Sequence, residues 1–196
     1  MRLFKKNYET YNDEDLMLLF QKGDRKAFEQ IYSRYSNHLV NFFFQKLWQD
    51  REKAEDRAQD IFSKIIQNPD LFDATKKFKT WVFTIAYNMC KNEYKRHEVR
   101  KNTKYEISEG IEAQDENDLG DTQVDKMNFK MRLKIELDKL KTKHSEVFTL
   151  RHDQGLSLKE IAEILNINEG TVKSRLHYTT KYLAEQLAEF KTIISE

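Results

Sequence analysis

The chain has 196 residues, enough for one ordinary domain or two small ones. Its five glycines and one proline are too few for the many turns of an all-β fold, so the composition predicts an all-α protein. The net charge of +1 excludes a broad cationic surface, and a single cysteine, Cys90, excludes an internal disulfide and a thiolate zinc cluster.

The first 14 residues mix charged and aromatic side chains and lack the continuous apolar stretch of a secretory signal. No apolar run in the chain approaches the roughly 20 residues that cross a membrane as a helix. We therefore expect a cytoplasmic protein without a membrane span.

Helix boundaries are recognisable near the N-terminus. Asn12 and Asp24 are candidate N-caps, and Gly23 is a candidate stop between them. Four apolar side chains then recur at helical spacing and predict one buried face: Phe28, Ile31, Tyr32 and Tyr35.

A further helix is predicted to begin after Asp50 and to break at residues 67–70, which include a proline. Five apolar residues fall on one side of it: Ala54, Ala58, Ile61, Phe62 and Ile65. A loop is expected from there to about Lys77.

The helical pattern resumes at Phe78 and continues to about Arg100. Its predicted inward residues are Trp81, Val82, Ile85 and Met89, and its predicted outward residues are Lys91, Lys95 and Arg96. Cys90 is expected to be a small buried apolar residue. Residues 11–100 are thus predicted to form a first helical domain.

Residues 106–125 contain eight acidic residues, no lysine or arginine and no apolar period. Such segments bury too little surface to offset the entropy of ordering. We predict a flexible acidic linker over residues 101–125, followed by a second helical domain over residues 126–192.

The second domain contains the pattern of a helix-turn-helix. Ser157 and Glu160 form a capping box, and the apolar positions after it are Leu158, Ile161, Ala162 and Leu165. That helix is predicted to end at Asn166, and Asn168 is a cap for the next one, which leaves a turn of three or four residues.

The second helix of this pair has two distinct faces. Six residues are predicted to point inward: Val172, Leu176, Thr179, Leu183, Leu187 and Phe190. Lys173, Ser174 and His177 lie outward near its N-terminal end, where a helix in the major groove contacts base edges, and Arg175 at the margin is suited to phosphate. A simple solvated face is the alternative.

The amino-acid sequence of this region is similar to that of a known protein family. Residues 155–165 (GLSLKEIAEIL) and 170–177 (GTVKSRLH) resemble the promoter-reading fourth domain of extracytoplasmic-function sigma factors, and residues 146–151 resemble its preceding helix. The resemblance implies duplex-DNA contacts at eight positions: Gly170, Thr171, Lys173, Ser174, Arg175, His177, Tyr178 and Lys181.

Residues 53–62 (KAEDRAQDIF) resemble the second-domain helix of that family, which docks on the clamp helices of the largest polymerase subunit. Arg57 stands where the family usually has an aliphatic residue. The resemblance implies polymerase contacts at Glu55, Asp56, Gln59 and Asp60, whose acidic patch would pair with basic residues of a partner. An ordinary solvated face is the alternative.

Residues 78–89 and 92–96 resemble the family's helix that melts a promoter hexamer and holds the single strand. The implied contacts are Lys77, Lys79, Trp81, Tyr87, Asn88, Lys91, Lys95 and Arg96. Aromatic residues at helical spacing also suit a core, and we expect Trp81 to serve there. The resemblance further implies that the loop at 68–77 captures a flipped base.

The resemblance implies an alternative sigma factor that binds core RNA polymerase, recognises the −35 and −10 promoter elements and promotes DNA melting. It also implies that the linker threads the RNA-exit path, for which a passive acidic spacer is the alternative, and anti-sigma proteins are common partners in the family. No cofactor or metal is expected. The alternatives are a ligand-sensing regulator that binds operator DNA as a dimer, and an enzyme, for which Glu93 and His97 lack a completing histidine or acidic cluster.

Overall fold

The computed structural model describes residues 6–103 and 121–190, with side chains at 6–100 and 127–190. These ranges contain no strand, and the prediction of an all-α protein is confirmed. The helices are α1 Asp13–Gln21, α2 Arg25–Lys46, α3 Arg51–Gln67, α4 Phe78–Thr103, α5 Asp121–Lys139, α6 Thr142–His152, α7 Leu158–Leu165 and α8 Glu169–Gln186. Short 3₁₀ turns occupy Tyr8–Thr10, Pro69–Leu71 and Ala188–Phe190.

The chain divides into two compact units. The first contains α1 to α4, and the second contains α5, α6, α8 and α7 as far as Ala162. Most of the predicted acidic linker, residues 104–120, lies outside the described residues. Helix α5 nevertheless begins at Asp121, inside the segment that composition assigns to the linker. Acidic residues near a helix N-terminus are favourable to its dipole, so acidic composition does not exclude a helix there.

The predicted ends of α1 and α2 are present. The Asn12 side chain accepts a hydrogen bond from the main-chain nitrogen of Asp15 at 2.7 Å, and Gly23 turns the chain with φ +92°. Asp24 is at the N-cap of α2 but makes no side-chain cap bond. Its carboxylate accepts instead from Lys6 Nζ at 3.0 Å and from the Tyr8 hydroxyl.

The α2–α3 pair carries most of the core of the first unit. All five residues predicted on the inner side of α3 are buried, as are Ile31 and Tyr35 on α2. The prediction was wrong for Tyr32, which is 47% exposed. Its ring packs against Phe62, with 4.7 Å between centroids, at the rim of the core.

Helix α4 completes this core in a register different from the predicted one. Its buried residues are Phe78, Thr80, Val82, Phe83, Ala86 and Cys90. Of the predicted inward set only Val82 is buried, while Trp81, Ile85 and Met89 are half-buried. The run of apolar side chains at 81–83 is compatible with several helix rotations, and contact with both α2 and α3 selects the observed one. The predicted burial of Cys90 is confirmed.

The second unit is built around α6 and α8. Val147 and Leu150 on α6 and Val172 and Leu183 on α8 are buried, and Thr179 Oγ1 donates to the main-chain oxygen of Arg175 at 2.9 Å. On α7, Ile161 and Ile164 are buried, whereas the predicted core residues Leu158, Ala162 and Leu165 are half-buried. Leu176 and Phe190 are also half-buried rather than enclosed.

Candidate DNA and polymerase interfaces

A short, well-capped turn sets the position of α8. Ser157 and Glu160 form the predicted capping box: Glu160 accepts from the Ser157 main-chain nitrogen at 2.8 Å, and Ser157 Oγ accepts from that of Glu160 at 3.2 Å. Asn166 has φ +53° and ends α7. Asn168 then caps α8, accepting from the main-chain nitrogen of Thr171 at 2.7 Å. The helix-turn-helix is therefore fixed by hydrogen bonds on both sides of its turn.

Helix α8 presents to solvent a polar face that includes two lysines, which we call the α8 face. Its members are all exposed: Lys173, Ser174, His177, Tyr178 and Lys181. The Tyr178 ring lies 4.8 Å from the ring of His144 on α6, which fixes one edge of this face. These residue types donate hydrogen bonds to bases and phosphates, so the face suits the major groove of duplex DNA.

The other predicted DNA contacts on α8 lie at its N-terminal cap or at the margin of the α8 face. The Thr171 hydroxyl donates to Asn168 Oδ1 at 2.9 Å and so belongs to the cap. A Cβ added at Gly170 would lie 3.4 Å from the same oxygen, which is an ordinary van der Waals contact. Arg175 is half-buried at the margin of the α8 face. The main chain at the start of α8 is thus held in place next to the α8 face.

Helix α3 presents an acidic face on the first unit, which we call the α3 face and which comprises Asp56, Gln59 and Asp60. All three side chains are exposed. Arg57 Nη1 donates to Asp60 Oδ2 at 2.8 Å, while its Nε is buried without a hydrogen-bond partner. Glu55, the fourth predicted contact, is half-buried and pairs with Arg51 at 2.6 Å. One carboxylate of the α3 face is therefore already partnered within the chain.

The predicted strand-binding residues at the start of α4 are divided between surface and core. Lys77 is exposed, with its Nζ 3.8 Å from Glu14 Oε2, and Lys79 is half-buried. The Trp81 ring packs against Phe72 at 5.2 Å and Phe78 at 5.7 Å. Trp81 thus makes the core contacts expected of it and keeps only part of its surface open.

Further along α4 the predicted contacts reach solvent. Asn88, Lys91, Lys95 and Arg96 are exposed. Lys91 Nζ lies 5.9 Å from the centroid of the half-buried Tyr87 ring, and Arg96 pairs with Glu93 at 3.2 Å. An aromatic ring beside positive side chains is the combination that binds unpaired nucleotides, by stacking and by phosphate attraction.

Two residues of α1 that were not predicted as site residues fix the shape of the loop at 68–77. Gln21 Nε2 donates to the main-chain oxygens of Pro69 at 3.0 Å and Phe72 at 2.9 Å. Glu14 Oε1 accepts from the main-chain nitrogen of Phe78 at 3.0 Å and so caps α4 from a distant part of the chain. No local pattern signals contacts between residues this far apart in sequence.

A hydrogen-bonded turn at residues 73–75 also fixes the conformation of the loop at 68–77. Asp73 Oδ1 accepts from the hydroxyl of Thr75 at 2.7 Å and from its main-chain nitrogen at 3.0 Å. These two bonds lower the pKa of Asp73. Leu71 is 60% exposed on the 3₁₀ turn. The loop therefore presents a defined surface beside the start of α4.

The groups considered for catalysis are engaged elsewhere. Glu93 pairs with Lys53 and Arg96, and the ring of His97 lies on that of Trp48, 4.5 Å between centroids. Within the described ranges, no group of three or more His, Cys, Asp or Glu side chains is placed to hold a metal ion. None of the helices in those ranges has the length and apolar character to cross a membrane.

Comparison with known proteins assigns the family. Residues 31–100 match Sigma-70 region 2, and residues 131–178 match Sigma-70, region 4. The chain is 31% identical over 175 residues to the ECF RNA polymerase sigma factor SigW of Bacillus subtilis, covering 86% of this chain and 93% of that protein. The chain belongs to the extracytoplasmic-function sigma factors. It is an alternative sigma factor, which acts in transcription initiation through promoter recognition.

Other relatives agree with this assignment. The RNA polymerase sigma factor YlaC of Bacillus subtilis is 33% identical, with 78% of this chain and 87% of that protein covered. The sigma factor RpoE of Bartonella quintana, solved with the anti-sigma factor NepR, superposes with a TM-score of 0.62 at 25% identity, over 83% of this chain and 98% of that one. CnrH, solved with the cytosolic domain of CnrY, shares the fold at 22% identity, with a TM-score of 0.63 over 90% of this chain and 97% of that one.

Proposed function

We propose that this sigma factor binds polymerase, melts the −10 element and recognises the −35 element through three different surfaces. The α3 face docks on the clamp helices of the largest subunit of core RNA polymerase. Helix α4 and the loop at 68–77 melt and hold the −10 element. The α8 face reads the −35 element as duplex. The domains that carry these tasks span residues 11–100 and 126–192, and residues 101–125 join them.

The α8 face is the observation that carries the proposal. A helix in a groove about 12 Å wide must expose donors along one side while its other side stays packed. Here Lys173, His177 and Lys181 are exposed on one side of α8, and Val172 and Leu183 are buried on the other. The capped turn before α8 holds that orientation rigidly, as readout of base edges requires.

The α3 face supports the docking role by its charge. Asp56 and Asp60 stand on an exposed helix surface that takes no part in the core, and their charges complement a basic partner. The α4 surface supports the melting role by its mixture of the Tyr87 ring with Lys91, Lys95 and Arg96.

The protein works in the cytoplasm, has no catalytic chemistry of its own, and needs no cofactor. The acidic linker follows the RNA-exit path of the polymerase. Because the similar sigma factor RpoE was solved with the anti-sigma factor NepR, we include an anti-sigma factor among the partners.

Two double variants test the division of work in run-off transcription with purified core polymerase. Asp56→Lys with Asp60→Lys should abolish core binding, measured by fluorescence anisotropy, and leave the α8 face intact. Lys173→Ala with His177→Ala should keep core binding and lose the dependence of transcription on the −35 sequence. Glu185→Gln, an exposed residue on α8, is the matched control and should behave as wild type.

The contrary outcomes are equally specific. If the protein with Asp56→Lys and Asp60→Lys still bound core polymerase, the α3 face would not be the docking surface. If the protein with Lys173→Ala and His177→Ala lost core binding, the α8 face would contact polymerase rather than promoter. Tight, dimeric binding of the wild-type chain to duplex promoter without polymerase would favour a ligand-sensing regulator instead.

A further inference from the structure

The second half of α4 extends beyond the core of the first unit. Among the side chains of α4 that the structure describes, Cys90 is the last buried one, and none of those from 91 to 100 is buried. At 1.5 Å per residue, the stretch from Cys90 to Arg100 is about 15 Å long. It carries three of the proposed strand contacts: Lys91, Lys95 and Arg96. A helix end with no buried side chain frays unless something else supports it.

That support comes from the turn between α2 and α3. The Trp48 ring lies 4.5 Å from the ring of His97 and 5.5 Å from the ring of Tyr94, the latter edge-on at 83°. The Tyr94 hydroxyl donates to the main-chain oxygen of Lys46. Two consecutive turns of the exposed half of α4 are thereby joined to one tryptophan and the residues next to it.

Lys53, in the first turns of α3, joins the same group. Its Nζ lies 4.8 Å from the centroid of the Trp48 ring and 3.8 Å from Glu93 Oε2. The ammonium group thus contacts both the indole ring and a carboxylate of α4. The cluster of Trp48, Lys53, Glu93, Tyr94 and His97 forms a brace between the α2–α3 turn and α4.

The backbone at Trp48 is unusual and serves this geometry. Trp48 has φ +56° and Gln49 has φ +59°, both in the left-handed region that side chains other than glycine disfavour. The turn is fixed by hydrogen bonds from the main-chain nitrogen of Leu47 to Phe43, at 2.7 Å, and from that of Gln49 to Phe44, at 3.1 Å. An unfavourable conformation held in this way is a reason to look for a function of the side chain that it orients.

We propose that Trp48 is a positioning residue for promoter melting, acting through α4. It remains 38% exposed, so it contributes to the surface brace rather than to the enclosed core. By fixing Tyr94 and His97, it holds Lys91, Lys95 and Arg96 at constant spacing along the melted strand. The inference rests on the proposed role of α4 and deepens it, because no contact of Trp48 itself with DNA is required.

The test uses holoenzyme assembled from core polymerase and full-length variants. Trp48→Gly removes the ring and suits the left-handed backbone, so it preserves the turn while deleting the brace. Its rate of open-complex formation, followed by permanganate reactivity of promoter thymines, should fall about tenfold, since the ring contacts to both Tyr94 and His97 are lost. Trp48→Phe should recover most of that loss. His97→Ala, which deletes the stack from the α4 side, should show a partial defect.

Gln49→Gly is the matched control, because it relaxes the same turn and keeps the indole ring. It should open the promoter at the wild-type rate. Core binding should be unchanged in all four proteins. Hydrogen exchange at the amides of residues 91–100 should accelerate in Trp48→Gly and stay slow in Trp48→Phe.

Failure of this inference is distinct from failure of the proposed function. Wild-type opening rates in Trp48→Gly, or a Trp48→Phe protein as defective as Trp48→Gly, would overturn the role of the brace while leaving the sigma-factor mechanism intact. If replacing Lys91, Lys95 and Arg96 together by alanine left the rate of promoter opening at the wild-type value, the proposed role of α4 would itself be wrong.

Discussion

Gln21 Nε2 donates to the main-chain oxygen of Phe72 at 2.9 Å, although the two residues are 51 positions apart in the sequence. The same nitrogen donates to the main-chain oxygen of Pro69 at 3.0 Å. A single amide therefore ties both sides of the Pro69–Leu71 turn to α1. The loop proposed to capture a promoter base takes its shape from a helix that has no proposed contact with DNA.

Replacing Gln21 by Met tests this tie, because the side chain keeps its length and loses its donor. We expect the free energy of unfolding to fall by about 1–2 kcal/mol, since two part-buried carbonyl oxygens lose their partner. Discrimination among −10 sequences should fall as well. Urea unfolding and transcription from a set of −10 variants measure the two effects. The exposed Gln186→Met is the control, and an unchanged −10 preference in Gln21→Met would contradict the role of α1.

The cap of α8 gives a second prediction. Asn168→Ala should destabilise the second unit by about 1 kcal/mol, because the main-chain nitrogen of Thr171 loses its acceptor. Dependence of transcription on the −35 element should weaken while core binding stays intact. Asn168→Asp should retain both properties, since a carboxylate can accept the same bond at a helix N-terminus. Equal thermal stability of the Ala and Asp variants would show that the cap contributes little.

A buried carboxylate should make the second unit sensitive to acid. Glu136 is fully buried, accepts from Lys139 at 2.8 Å and from the Tyr182 hydroxyl at 3.0 Å, and lies 3.3 Å from Arg132. The hydrogen bond from Lys139, aided by Tyr182 and Arg132, lowers its pKa. Because the pKa is lower in the folded state, the stabilisation is complete above the ordinary pKa of a glutamate and is lost as the pH falls through the folded-state pKa.

Glu136→Gln isolates that contribution. At pH 7 the variant should melt at a lower temperature than wild type, because the amide replaces a charged acceptor. The difference in melting temperature should shrink as the pH is lowered from 5 towards 3, as calorimetry can measure. Glu185→Gln, on the surface of α8, should track wild type at every pH. A difference that stays constant with pH would mean that the charge of Glu136 is not what stabilises the unit.

Arg57 gives a prediction about affinity for polymerase. Its ion pair with Asp60 must be shared or broken when a basic residue of the partner approaches that carboxylate. Exposed pairs are worth about 0.2–1 kcal/mol, so Arg57→Leu should tighten core binding by up to about fivefold. Anisotropy titrations with labelled protein would detect this change. Weaker binding would instead indicate that Arg57 contacts the polymerase itself.

The parts of the fold that follow from local rules could be predicted from the sequence. The Ser157–Glu160 capping box and the Asn168 cap depend on neighbours three residues apart, and both are present. The prediction of the inner side of α3 is confirmed. It could be made because the small and apolar residues of this helix repeat at one helical period and charged residues separate them. The exposed set on α8 followed from the same reasoning.

What could not be predicted depends on tertiary contacts. The rotation of α4 about its axis is selected by its packing against α2 and α3, and nothing in the run at 81–83 favours it over a neighbouring rotation. The Asp24 carboxylate prefers Lys6 and Tyr8 to its own helix because those partners are brought near by folding. The contacts of Gln21, Glu14 and Trp48 also join distant segments, and no periodicity identifies them.

The burial of the single sulfhydryl has a practical consequence. Cys90 is 1% exposed among the side chains of the first unit, and the chain has no other cysteine. A maleimide dye can therefore react only when the first unit opens, so the labelling rate of the unmodified protein measures that opening without interference from the second unit. The rate of thiol labelling at Cys90 thus reports on the opening of the unit that is proposed to hold the melted strand, without any introduced cysteine.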